Sequence, residues 1–444
     1  MITVGPKRYL TEPAKKVPIK QDVDVVVIGA GPSGTAAAIN AAREGAETLL
    51  IEQFGSVGGI ATTGLMSHWA GSVQGGFFEE LIDRSIDCFK EDGKVIGGVM
   101  TINTEKLKSV YIKMLMDAGV YVQLYTMATD VIIEGEDKRK INAIVTESKS
   151  GRAALVGNIF IDATGDGDIA AKAGVPYEKG RDKDGKMQPM TLMFKVGGVD
   201  MKKAVLPGSF ESNLDVPAGK IQDLGKKHLP QPAGHVLLYP SSLPGIVTVN
   251  MTNSIGVDGT KSEDLTKAHM ECQLQIAPIV NFLRKYVPGF TDCYTTTSGS
   301  MVGVRESRRF KGLYTLTGKD ILNARAFDDW AVPRAHFNFD IHNIEGSGLD
   351  KNGVQKKFKQ HKPYSIPYRC FIPENIDNLY LTGRNISGTH VAQSNYRVMP
   401  ICTQMGEAVG ISAALCIRNQ VSPTDLDVTL LQKKLKDRDI SPPS

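Results

Sequence analysis

The sequence predicts an α/β fold with a central parallel sheet and an attached mixed α+β region. Three observations predict it. Residues 22–53, DVDVVVIGAGPSGTAAAINAAREGAETLLIEQ, read as strand, helix and strand within about 30 residues. A second strand-then-helix pattern, NLYLT followed by a long glycine- and alanine-bearing run, lies at residues 378–419. The 45 glycines in 444 residues exceed the usual share of roughly 7%. They fall in short clusters rather than linkers, as where backbone must approach a ligand.

In chain order, residues 1–21 form a lysine- and proline-bearing lead-in. Val23 to Ile28 is a continuous β-branched run, the mark of a strand buried on both faces. Pro32 to Glu44 is an alanine-rich helix ended by Gly45, and Thr48 to Ile51 is the next strand. The glycine-rich stretch GSVGGIATTG occupies residues 55–64. Helices are expected at Phe77–Lys90 and Glu105–Ala118. Short strands fill Val120–Val145, broken by the solvated tip EGEDKRK. Ile159–Ile161 is a strand running into DATGDGDIAAKAGV. Residues 191–369 are mixed, with strands in TLMFKV and GIVTVNM and a helix near Glu263–Tyr286. The basic stretch at residues 351–362 reads as a solvated loop. A strand at Asn378–Thr382 and a helix at Pro400–Asn419 complete the pattern. The expected division is a first domain made of residues 20–180 and 375–425, interrupted by a capping domain at 181–374.

The composition narrows the class. A chain of 48.1 kDa, 41% hydrophobic and 23% charged, holds roughly two or three domains. It can bury a core without disulfide or metal staples. A net charge of +4 gives no case for nucleic acid or an anionic membrane. The six cysteines (Cys88, Cys272, Cys293, Cys370, Cys402 and Cys416) form no C-x-x-C pair, so no zinc ribbon or thioredoxin-type centre is encoded. The N-terminal residues lack a signal-peptide pattern, and no apolar run is read as reaching the roughly 18 residues of a spanning helix. These features lead us to expect a soluble, cytoplasmic protein.

Gly29, Gly31 and Gly34 form G-x-G-x-x-G between a buried strand and a helix. The first glycine makes the turn, the second lets a pyrophosphate touch backbone, and the third permits close helix–sheet packing. Pro32 and Ser33 open the helix, whose N–H groups and dipole favour phosphate charge. Glu52, followed by Gln53, ends the second strand where the ribose hydroxyls of an adenosine would sit. An acid there favours FAD or NAD over NADP. Gly58 and Gly59 follow closely and leave backbone free to approach a pyrophosphate. Ala163, Thr164 and Gly165 end a strand with small residues, although DGD is also good turn chemistry without a ligand.

With these motifs the chain resembles the FAD-dependent oxidoreductases of the glutathione-reductase superfamily. More narrowly, it resembles the bacterial family called simply FAD-dependent oxidoreductase. The resemblance runs from about residue 20 to 420. It is carried by VVVIGAGPSGTAAAINAAR, EQFGSVGGIATTG, IDATGDGDIAAKAG, GVRESRR, DIHN and LTGRNISGTHVAQSNYRVMPICTQMGEAVGISAAL. It implies a Rossmann-like FAD-binding domain. Ile60, Thr62 and Ala128 join the cofactor residues, and the Ala163–Gly165 turn lies near adenine and ribityl. Gly383 follows a strand where the superfamily often has Gly-Asp; here Arg384 comes next. The resemblance further implies that the helix start at Val398 and Met399 points at the flavin pyrimidine edge.

On the substrate side, Arg305, Arg308 and Arg309 have the fork that clamps a carboxylate, or else form an ion-pair cluster with Glu306. His342 and His390 can exchange a proton near neutral pH, or be structural. Arg397 precedes the flavin-facing helix and could hold an anion or a flavin carbonyl. His68 is a candidate near the isoalloxazine ring. No second strand-coupled G-x-G-x-x-G and no redox cysteine pair is encoded, and no metal site is expected. Electrons must therefore pass to oxygen, to a small acceptor or protein, or to a second substrate. The expected activity is hydride transfer between a small organic substrate, which the arginines suggest is an acid, and flavin N5. The competing readings are a non-catalytic nucleotide-binding or escort protein, and an NAD-binding, thiazole-synthase-like protein using Cys293 as sulfur donor.

Overall fold

In the computed structural model, residues 10–85, 99–135, 139–208 and 211–443 are described. The β-branched run forms the strand Ile19–Ile28, in which Val25, Val26 and Val27 are completely buried. It pairs in parallel with Thr48–Ile51 on one side and Gly151–Asp162 on the other. Tyr121–Gln123 extends the sheet beyond Thr48–Ile51, and Leu379–Leu381 adds in parallel to Gly151–Asp162. The first half of Gly151–Asp162 also pairs antiparallel with Lys140–Ser148, which pairs with Thr126–Glu134. The carboxyl ends of the parallel strands therefore meet along one edge of the sheet. In open α/β sheets that edge is where ligands bind.

The helix Pro32–Arg43 packs against the long helix Met399–Asn419, and glycines set how closely. A Cβ on Gly406 would lie 2.0 Å from the Ser33 carbonyl oxygen, and one on Gly410 would lie 2.2 Å from that of Ala37. The two backbones touch where side chains would hold them apart. Met399–Asn419 is long and apolar enough to cross a membrane, which corrects the reading that no such run exists. In this fold it is a core helix, buried from Met399 to Cys416.

A second core gathers side chains between Met190 and Val302. Its sheet runs Leu238–Pro240, Val247–Val249, Phe194–Gly197 and Tyr294–Ser298. The helix Ser262–Tyr286 contributes Ala268, Cys272, Ile276, Ile279 and Leu283 to this core, spaced along one helical face. Side chains from Phe310 to Ile376 pack into the first core.

Several expected boundaries shift. The helix expected at Phe77–Lys90 spans Gly76–Arg84, and residues 86–90 lie outside the described residues. The next helix starts at Thr104 because the Asn103 side chain accepts from the Glu105 and Lys106 N–H groups. The short helix His390–Tyr396, capped by Thr389, was not expected. The basic stretch at 351–362 is a largely exposed loop with one short turn of 3-10 helix at Val354–Lys356.

Candidate functional site

The three phosphate-loop glycines have different jobs. Gly29 has φ +96°, and a Cβ there would meet the Ala163 carbonyl oxygen at 2.6 Å. A Cβ on Gly34 would come within 1.9 Å of the Gly29 oxygen. Both positions are closed by the protein's own packing. At Gly31 nothing lies within 4 Å of a Cβ, so its Cα faces open space at the start of a helix. That is the cradle a pyrophosphate needs. Gly59, with φ +50°, brings its backbone against it: a Cβ there would sit 3.0 Å from the Gly31 Cα.

Glu52 is buried and braces this loop. Its carboxylate accepts the Ala30 N–H at 2.7 Å and the Phe54 N–H at 2.9 Å. Burial pushes its carboxyl up, and those N–H groups oppose the shift. Each oxygen keeps a second lone pair for a ribose hydroxyl.

A cleft runs along the carboxyl edge of the sheet. Gly29, Gly31, Pro32 and Ser33 line it from the phosphate loop. Glu52, Gln53, Gly59 and Ile60 line it from the segment after the second strand, with Ala128 from the meander. Ala163, Thr164, Gly165, Gly383 and Arg384 follow across the sheet, and Arg397 and Met399 complete the set. Four expected residues do not line it. Gly34 and Gly58 pack behind the loop, and Thr62 donates to the Val57 carbonyl at 2.5 Å. Val398 is the N-cap of the long helix, its carbonyl taking the Cys402 N–H at 3.0 Å.

Sequence reasoning missed Phe54, Met127 and Thr382, each beside a residue it did select, Asp168 and Cys402, each three residues past a selected one (Gly165 and Met399), and Met301, which had no local signal. It also missed Asp162, which ties down the Ala163–Gly165 turn. Its carboxylate accepts the N–H groups of Thr164, Ile169 and Ala170 and the Thr164 hydroxyl. Arg384 donates to Asp166 at 3.0 Å, and Asp166 also accepts from Ser307.

Next to the cleft lies a buried polar cluster, which Arg397 joins to it. Arg397 donates to the Asp340 carboxylate at 3.0 Å and to its backbone carbonyl at 2.8 Å. His342 Nε2 lies 3.3 Å from the same carboxylate, and its backbone N–H donates to Gln188 Oε1 at 3.1 Å. Burial works against the Asp340 charge, but His342, Arg397 and Arg305 outweigh it and hold the carboxyl well below the usual range. Arg305 donates to the Pro189 carbonyl at 2.7 Å and to Thr191 Oγ1 at 2.8 Å. Burial, then the charge of Arg397, pulls its guanidinium down to about 10. Burial followed by the Arg305 charge lowers His342 to about 4 and His68 to about 3. His235 falls to about 3 through burial and then the His342 and Arg305 charges. All three imidazoles are thus neutral at pH 7. His68 stacks flat on Tyr239 with ring centroids 3.6 Å apart.

The other arginines are committed elsewhere. Arg309 pairs with Glu306 at 2.7 Å and donates to two backbone carbonyls, while Arg308 pairs with Asp168 at 2.8 Å. Arg309 thus makes the ion pair expected with Glu306, whereas the partner of Arg308 is Asp168 instead. His390 Nδ1 lies 2.7 Å from the same Glu306. Arg305, His342 and His390 therefore sit behind the cleft wall, and Arg397 is on it. Cys293 is buried, and burial pushes its thiol up, so it is no accessible sulfur donor. The five cysteines of the described residues are free thiols, and Cys88 lies outside those residues.

Comparison with known proteins extends this description. Urocanate reductase of Eggerthella lenta is 37% identical over 94 residues, 21% of this chain and 15% of that protein. Digeranylgeranylglycerophospholipid reductase of Methanocella arvoryzae is 33% identical over 138 residues, 26% of this chain and 33% of that one. The chain thus spans a third or less of the length of these two curated relatives. Thiamine thiazole synthase of Sulfolobus acidocaldarius is 26% identical over 44% of this chain and 75% of its own length. Among solved structures, a geranylgeranyl bacteriochlorophyll reductase-like protein from Thermoplasma acidophilum superposes with a TM-score of 0.51 at 14% identity, covering 94% of this chain and 84% of that one. That likeness speaks for the fold, a Rossmann-type α/β architecture. Residues 24–435 match the family described as FAD dependent oxidoreductase, and the chain belongs to that family, with FAD as its cofactor.

Proposed function

We propose that the protein oxidises or reduces a small organic molecule held beside the Arg397 and Met301 part of the cleft. Within the family, we place it in the glutathione-reductase-type superfamily. Bound FAD supplies the two-electron chemistry, taking or giving a hydride at flavin N5. Gly31 and Gly59 leave backbone room for the pyrophosphate, and Glu52 accepts from the adenosine ribose. Met399, which lines the cleft in the first turn of the long helix, would contact the flavin when FAD is bound.

The observation that carries this reading is Arg397, which lines the cleft and also bonds to the buried cluster behind it. In our reading Arg397 and Arg305 hold the substrate. His342 is oriented through Nε2 by Asp340 and keeps Nδ1 for a proton. His390 is oriented through Nδ1 by Glu306 and keeps Nε2. Residues 181–374 cap the site, their inner part having a core of its own. Free cysteines throughout the described residues support a reducing compartment such as the cytoplasm. The thiazole-synthase-like alternative is opposed by the burial of Cys293.

The test is anaerobic flavin bleaching by a panel of small acids, alcohols and amines, for wild type and Arg397→Met. We expect one chemical class to bleach the wild type, and the variant to keep its FAD while losing bleaching by about tenfold or more. Equal rates in the two proteins would refute the placement of the substrate at Arg397.

A further inference from the structure

The cluster behind Arg397 holds more positive charge than negative. Its charged members are Arg305, Arg397 and Asp340, because burial keeps His68, His235 and His342 neutral. Two guanidinium groups against one carboxylate leave a single uncompensated charge. The adjacent Glu306 does not offset it, since Glu306 is engaged by Arg309 and His390. Arg305 is 8% exposed, and among the described residues no carboxylate lies within ion-pair distance of it. Its hydrogen-bond acceptors, Pro189 O and Thr191 Oγ1, are both neutral. A buried cation satisfied by neutral groups alone is costly, and an anion beside it removes that cost.

Unfilled polar atoms lie in the same place. Gln188 Nε2 and His68 Nδ1 are buried without a partner on side chains that are 1% and 3% exposed, and Arg397 Nε is likewise unpaired. Gln188 belongs to the cluster through its Oε1, which accepts the His342 N–H. Gln188 Nε2 and Arg397 Nε are therefore unfilled donors beside the excess charge.

We propose that this cluster, reached from the cleft at Arg397, takes one carboxylate of the substrate between Arg305 and Arg397, so that the enzyme acts on small monocarboxylic acids. A guanidinium fork matches the two oxygens of a carboxylate, and one carboxylate balances one surplus charge. A phosphate group, with close to two negative charges, leaves the pocket overcompensated. Arg305 is then the specificity-determining group, with Arg397 shared between the acid and Asp340. This inference rests on the substrate placement proposed above.

The experiment uses the holoprotein, with FAD content checked by release and absorbance before each titration. Sodium acetate, propionate and benzoate are titrated by calorimetry, alongside the matching amides, sodium chloride and sodium phosphate. Flavin difference spectra are recorded in parallel. We expect at least one carboxylate to bind with a flavin spectral change, and its amide, chloride and phosphate to bind about tenfold or more weakly. Arg305→Met should lose about tenfold or more in that affinity at unchanged FAD content, with Arg305→Lys between the two. The proposal is overturned if no carboxylate binds, if an amide or inorganic anion binds as well, if binding leaves the flavin spectrum unmoved, or if Arg305→Met binds like wild type. Should Arg305→Met not fold, wild-type thermal unfolding decides: the carboxylate must raise the midpoint where equal sodium chloride does not. FAD content is read separately, so loss of the cofactor is distinguishable from loss of the acid site.

Discussion

Gly31→Val separates folding from cofactor binding. Gly31 has φ −69° and ψ −178°, a conformation open to any residue, and no atom lies within 4 Å of its Cβ position. The added Cβ therefore meets no protein, and stability should change by about 1 kcal/mol or less. In the cofactor complex the same group occupies the phosphate cradle. A hydrogen bond from an N–H to a charged oxygen contributes about 1.5–3 kcal/mol, so losing two costs about 3–6 kcal/mol. At 1.4 kcal/mol per decade, FAD affinity should fall by about two to four powers of ten. The assay is FAD titration of apoprotein by calorimetry, with urea unfolding of the same preparations. Gly34→Val is the contrast: its Cβ would lie 1.9 Å from the Gly29 oxygen, so this variant should lose the fold itself. A Gly31→Val protein that folds and binds FAD as wild type does would refute the phosphate-loop reasoning.

Three further outcomes are expected. Gly406→Ala forces a methyl group to within 2.0 Å of the Ser33 carbonyl and should lower stability by about 1–3 kcal/mol or more; an unchanged urea midpoint would contradict the helix contact. Asp162→Ala strands the N–H groups of Thr164, Ile169 and Ala170, at roughly 1–3 kcal/mol each, and should weaken FAD binding with it. Unfolding curves and FAD titrations that match wild type would dismiss that role. His235 has a folded pKa lowered from 6.5 to about 3, so the unfolded chain binds more protons between those values. Its contribution to stability is full above pH 6.5 and is lost as pH falls toward about 3. The pH slope of unfolding free energy should exceed that of His235→Asn by up to about 1.4 kcal/mol per unit in that window. Parallel slopes would show that His235 is not buried as a neutral imidazole.

What could be read in advance was what depends on neighbours in sequence. The strand Val23–Ile28, the turn at Gly29 and the helix after Pro32 follow from side-chain shape and backbone freedom over a dozen positions. Thr382, Phe54 and Met127 lie one residue from selected positions and were within reach. Met301 was not, because nothing local marks a residue that a distant segment brings to the cleft. The arginines show the same limit. Arg305, Arg308 and Arg309 look alike in VRESRR, yet Asp168 engages the second, Glu306 the third, and no acid of the described residues the first. Pairing partners of this kind are fixed only when distant segments meet. Asp340 likewise gave no sign that it would hold Arg397, 57 positions away.

The contact of Gly406 with Ser33 has a consequence for how the enzyme is made. One side of the cleft comes from the first sixty residues, and the other, Thr382 to Cys402, comes from a segment more than three hundred residues later. The seam at Gly406 and Gly410 joins them. During synthesis, when a nascent chain folds from its N-terminal side, the phosphate loop emerges long before the helix that backs it. Cofactor loading thus awaits translation past about residue 419 and the release of that helix from the ribosome. FAD becomes a ligand of the finished fold rather than a nucleus for it, and cellular FAD supply should govern how much enzyme is loaded rather than whether the chain folds.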